Sequence, residues 1–118
     1  MAAPVGQWHI DANGFKGTLD ITADAAGHLT GNINIDIGVT DGLQGTWSEV
    51  AQEITFHRVR GGNFIQTYTG YLFTTKEPIF GGQGPPEPNP TFRMLAGSFE
   101  SLGAPGRPRF GWVARQNI

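Results

Sequence analysis

Four side chains in the middle of the chain combine acid–base character with hydrogen bonding: Glu49, Arg58, Gln66 and Tyr68. A carboxylate beside a guanidinium reads first as a structural ion pair at a rim and second as a tuned general base. The three histidines, His9, His28 and His57, lack the His-Glu-x-x-His spacing of a zinc site, and no metal is expected. Gly61-Gly62 and Gly81-Gly82-Gln83-Gly84 are not phosphate loops, because no helix pattern follows to aim amides at an anion. No Gly-x-Ser-x-Gly elbow occurs, and with no cysteine there is no thiol nucleophile, disulfide or thiolate ligand. The remaining chemistry is aromatic: Trp8, Trp47 and Trp112 serve either as core or as walls of a ligand cavity.

The elements that position these groups must come from 118 residues, the size of one ordinary domain. Charged residues are 15% of the chain, below the roughly 25% of an average soluble domain, which excludes a coiled coil or a charged disordered tail. The formal net charge of -2 offers no footprint for nucleic acid. No apolar run approaches the roughly 18 residues of a membrane-spanning helix, so no membrane partner is expected. Met1 to Val5 lacks the charged and apolar regions of a secretory signal, which reads as a cytoplasmic protein or a secreted one whose signal is gone.

Alternation dominates the sequence. Phe15, Gly17, Leu19, Ile21 and Ala23 share one face of a strand, with Lys16, Thr18, Asp20 and Thr22 on the other. Leu29, Gly31, Ile33, Ile35 and Ile37 repeat the pattern. Turn residues at Asp11–Gly14, Asp24–Gly27, Thr40-Asp41-Gly42 and Gly61-Gly62-Asn63 separate the runs. The spacing predicts eight strands, over about 6–11, 15–23, 28–37, 42–50, 52–59, 63–74, 93–100 and 109–115. Short links make consecutive strands antiparallel neighbours, and an all-β, eight-stranded up-and-down meander barrel removes its own edges. One domain, 1–118, is expected, with a Pro/Gly-rich loop at 75–92 that is either functional or passive.

An apolar–x–Gly–x–apolar unit recurs five times: Phe15 to Leu19, Leu29 to Ile33, Leu43 to Trp47, Tyr68 to Leu72 and Leu95 to Phe99. Each glycine falls on the inward face, where it lets a strand coil sharply or a facing ring lie against the backbone.

Gly6-Gln7-Trp8 on the first strand and Arg115 on the last resemble the signature of calycin barrels, in which a cation crosses the indole that plugs one end. Length, His28-Leu29-Thr30-Gly31 and Gln66-Thr67-Tyr68-Thr69-Gly70 make the chain similar to the avidin and streptavidin family. That resemblance implies a ligand cavity, but the positions matching its biotin-binding residues are Ile10, Gly14, Ile33, Ile35, Phe56 and Tyr68. A ureido oxygen against these isoleucines loses its hydrogen bonds at about 1–3 kcal/mol each, which argues against tight biotin binding.

The expected function is a non-enzymatic binding protein holding a small apolar or aromatic molecule in the lumen, on Ile33, Ile35, Trp47, Phe56, Gln66, Tyr68, Phe99 and Trp112. The competing readings are a solid-cored interaction barrel acting through its loops, and an isomerase or cyclase using Glu49 or Tyr68. The outward faces of strands two to four are polar, through Thr18, Asp20, Thr30, Asn32, Asn34, Gln44, Thr46 and Ser48. Strand six instead turns Ile65, Tyr71 and Phe73 outward, with Val59 and Val113 nearby, which predicts a homodimer or larger homo-oligomer on that face.

Overall fold

The computed structural model describes residues 3–36, 38–73 and 93–116. Eight antiparallel strands, each paired with the next and the last with the first, form a closed barrel. They are β1 Gly6–Ala12, β2 Phe15–Ala23, β3 His28–Asp36, β4 Val39–Ser48, β5 Glu53–Arg60, β6 Asn63–Phe73, β7 Met94–Ser101 and β8 Arg109–Arg115. The expected architecture is present, and the alternation that predicted it recurs as burial, most plainly on β5, where Ile54, Phe56 and Arg58 are buried and their neighbours are not. Stretch 75–92 lies outside the described residues, as does Ile37. Among the described residues no helix is long and apolar enough to cross a membrane.

Local chemistry sets the turns. Asn13 and Gly14 take positive φ of 52° and 92°, and the Gly14 amide donates to the Asp11 carboxylate at 2.8 Å, closing β1 on β2. Asp24 accepts from the amides of Ala26 and His28, which holds the link from β2 to β3. The third turn differs from expectation. It lies at Gly38, with φ of 75°, and β4 already begins at Val39. Thr40-Asp41-Gly42 reads as a turn locally, yet Asp41 is a strand residue turned inward, its carboxylate held by the buried Arg58 and the half-exposed Arg60.

The five repeat glycines are a consequence of strand coiling. A Cβ on Gly17, Gly31, Gly45 or Gly97 would collide with the carbonyl oxygen of Asn34, Asp20, Thr55 or Thr69 on the adjoining strand. At Gly70 it would meet the Trp112 ring at 2.8 Å. The Trp112 indole N–H is held between the carbonyls of Thr69 and Ser98, at 3.1 and 3.2 Å.

One end of the barrel is plugged. Trp8 is fully buried, and its indole N–H donates to the Pro4 carbonyl at 3.0 Å. The cation over the ring is Arg93, 5.3 Å from its centroid, and not Arg115 as expected. Arg115 stands opposite His9 on the exposed side of the β1–β8 seam, since Trp112 and Ala114 take the inward positions of β8. Gln116 ties the plug together. It accepts from Arg93 at 2.6 Å and donates to the Val5 and Gln7 carbonyls at 2.8 and 3.4 Å.

Candidate functional site

The middle of the barrel is filled by rings in register. Phe56 faces Tyr68 across β5–β6, Tyr68 faces Phe99 across β6–β7, and Phe99 faces Phe110 across β7–β8. Phe56 and Tyr68 stack at 4.7 Å and Tyr68 and Phe99 at 4.8 Å. Trp112 meets both Phe56 and Tyr68 edge-on at 5.7 Å, the arrangement ring quadrupoles favour. Ile33, Phe56 and Tyr68 have no exposure, and Trp112 only 4%. Four of the residues expected to line a ligand cavity therefore pack against one another and with the core.

Above this ladder, toward the turns at 13–14, 38, 61–62 and 102–108, the interior changes character. Asp41 and Arg58 are buried and joined, Arg58 Nε donating to Asp41 Oδ2 at 2.6 Å. Arg60 donates from Nε and a terminal nitrogen to the same carboxylate, both at 2.8 Å. Gln66 Oε1 accepts from Arg58 at 3.0 Å and from the Tyr68 hydroxyl at 2.8 Å, which links the charged layer to the aromatic one. Hydrogen bonds from Arg60 and then Arg58 hold the Asp41 pKa below the ordinary carboxylate value against the opposing pull of burial. Among the described residues no buried side-chain nitrogen or oxygen lacks a partner. Asp41 is thus an ionised anchor with its lone pairs in use, poorly disposed to act as a base.

A cavity of about 200 Å³ opens over this layer. Ile35, Phe99, Phe110 and Phe15 supply its apolar wall, and Arg58, Gln66, Asn13 and Ser101 its polar side. Arg58 and Gln66 also border a shallower groove of about 470 Å³ that runs past Arg60, Phe64 and Ile65 to the 101–104 turn. Of the expected ligand residues, the mouth gathers Ile35, Gln66 and Phe99.

Trp47 lies near the opposite end. Its indole N–H donates to Glu49 at 2.9 Å, which is the main reason the Glu49 pKa is lowered. Glu49 is exposed in the β4–β5 turn and does not approach Arg58, so the expected rim pair of Glu49 and Arg58 is replaced by Asp41 and Arg58. Alternation does not reveal this, because parity gives a side chain's face and not its height along the barrel. Phe15 shows the same limit. It has the parity of the core positions of β2, but at the first position of the strand it is 63% exposed and stands on the rim. Reading Phe15 as a strand end beside Asn13-Gly14 would have found it.

The outer wall carries a second feature. Tyr71 and Phe73 are 50% and 44% exposed, and their ladder partners on β7 are Ala96 and Met94. A register shift between Arg58 and Val59 puts Phe64 on the outer face, stacked on His57 at 4.3 Å, and leaves Ile65 half-buried beside the mouth groove. Among the described residues no group of three or more histidines and carboxylates is placed to hold a metal ion. No family model, curated protein or solved structure matches the chain, and its likeness to avidins stays with the motifs that carry it.

Proposed function

We propose that the protein is a non-enzymatic binding barrel that holds a small apolar or aromatic molecule at its open mouth. The observation that carries this reading is the contrast within one small cavity. Phe15, Phe99, Phe110 and Ile35 line it, while directly beneath them the lumen is packed by the Phe56–Tyr68–Trp112 cluster. An exposed Phe15 ring on a rim gains by covering apolar surface, and binding sites of this make-up place few polar groups among apolar walls. The ligand accordingly rests on the ladder and does not enter it. A neutral apolar dye, N-phenyl-1-naphthylamine, tests the site. Its emission should rise on the folded protein and the rise should vanish in Phe15→Ala/Phe110→Ala. Equal enhancement by that variant, with an unchanged fold, counts against the mouth.

A specific observation also favours self-association. Tyr71 and Phe73 lie beside Met94, Ala96 and Val113 on the outer wall, with Glu53 opposite Tyr71 on one flank and Arg115 opposite Met94 on the other. A two-fold axis along the strand direction of such a patch would set the Glu53 flank of one copy toward the Arg115 flank of the next. Light scattering on the parent and on Tyr71→Glu/Phe73→Glu tests it, and a parent monomeric at tens of micromolar overturns it.

A further inference from the structure

We infer that the molecule held at the mouth is an aromatic acid, its ring against the phenylalanines and its anionic group turned toward Arg58 and Arg60. This deepens the proposed function and rests on it. Two guanidiniums surround one carboxylate: Arg58 and Arg60 both donate to Asp41. Guanidinium does not lose its proton in proteins, and Asp41 is held ionised, so the cluster carries an excess positive charge wherever its hydrogen bonds go.

Among the described residues the neighbouring charges leave that excess in place. Glu100 at the same end pairs with Arg107 at 3.2 Å and faces Arg109 across the β7–β8 ladder. Asp11 stands opposite Lys16 in the β1–β2 ladder, and Asp36 ends β3. Among the described residues this end carries Lys16, Arg58, Arg60, Arg107 and Arg109 against Asp11, Asp41 and Glu100, with Asp36 at the end of β3, on a chain whose net charge is -2. Among the described residues the other end has the reverse balance, with Asp20, Asp24, Glu49 and Glu53 against Arg93 and Arg115. A positive mouth on a negative molecule attracts anions to that end.

Geometry assigns the two parts of the ligand. The cavity has the ring wall, and the adjoining groove leads across Gln66 and Arg58 to Arg60, whose side chain is 46% exposed. A planar carboxylate suits a guanidinium better than an ammonium because of its matched fork. Arg58 holds the floor, and Arg60 is the group that distinguishes an acid from its amide.

Three probes sharing one ring separate this inference from the reading beneath it: 2-naphthoate, 2-naphthamide and 2-naphthylmethylammonium, titrated by calorimetry at neutral pH. The naphthoate should bind at least about tenfold more tightly than the amide, and the ammonium most weakly. Arg60→Met should bring the naphthoate close to the level of the amide, with a much smaller loss for the amide itself. On the unaltered protein, raising salt from about 20 mM to about 0.5 M should weaken the naphthoate several-fold and spare the amide. Equal affinity for acid and amide, with no salt effect, overturns the assignment of an acid and leaves the apolar mouth standing. Failure of all three probes to bind overturns both.

Discussion

The two ends of the barrel close by opposite means, although an arginine serves at each. At the plugged end Arg93 covers the fully buried Trp8, and Pro4 and Gln116 complete the seal through backbone carbonyls. At the mouth Arg58 lies beneath the rim with Asp41, and its guanidinium is held by carboxylate and amide oxygens. The first end is sealed by apolar area, with the cation as a cover. The second is floored by charge, with the aromatic rings displaced to the rim. Apolar area is non-directional and tolerates no solvent-filled approach, whereas a charged floor fixes positions and keeps a polar surface available above it. A barrel that needs one closed end and one receptive end can be built by assigning one solution to each.

The sharpest test of the plugged end is Trp8→Ala, which removes a large buried ring and should cost about 3–5 kcal/mol. In a domain of this size that is a large share of total stability, and urea denaturation should show unfolded or aggregated protein. An unchanged midpoint removes the plug from the comparison. At the mouth, Asp41→Asn leaves Arg58 buried without a counter-charge and should cost about 3 kcal/mol. The pair as a whole is worth much less than either half suggests, so Asp41→Leu/Arg58→Met should recover most of that loss. If the double variant is as unstable as the single, the floor is held by more than its charges.

Acid distinguishes the ends as well. The Asp41 pKa is depressed in the folded protein, so its contribution is complete above the unfolded value of about 3.9 and is lost as pH falls through the folded value. Midpoints measured below about pH 4 should fall more steeply for the parent than for Asp41→Asn. Trp8 and Arg93 have no such dependence in that range. Arg93→Met removes a cation–π contact at the cost of about 1 kcal/mol, and ligand binding at the mouth should not change. The smallest effect on stability belongs to Phe15→Ala, within about 0.5 kcal/mol because the ring is exposed, and the proposed dye binding at the mouth should be lost in this variant.

What was legible in the sequence follows from what alternation encodes. Period two gives the face of each side chain, so Leu19, Ile33, Phe56, Leu95 and Trp112 are read correctly as inward. The repeat glycines are legible for the same reason, and each proves to be a place where a Cβ has no room, although only Gly70 is buried. Height along the axis is not encoded locally. It depends on where turns begin and where the ladder slips, as at Gly38 and at the shift between Arg58 and Val59. That is why Asp41 is hidden in a turn signal and Glu49 stands in for it. Arg115 is a different case: with Trp112 inward, alternation itself turns Arg115 outward, and the cation over Trp8 is Arg93, just ahead of β7. The mouth is assembled from strand ends, where an error of two residues separates core from rim, and so it was the least legible part.

The Gln116 amide has a kinetic consequence. Its bonds to Val5 and Gln7 span 111 and 109 residues, and ladder pairs between β1 and β8 run only from His9 to Ala12 on β1. Every other strand pairing joins chain neighbours or crosses the 74–93 connection, so this seam must wait for nearly the whole described chain. Non-local contacts are paid for in loop entropy before they return anything, which orders the meander first and the seam last. The side chain that secures the Trp8 plug is therefore expected to find its partners late in folding. On the reverse path, amide exchange should find the Val5–Trp8 stretch opening before the β5–β7 ladder.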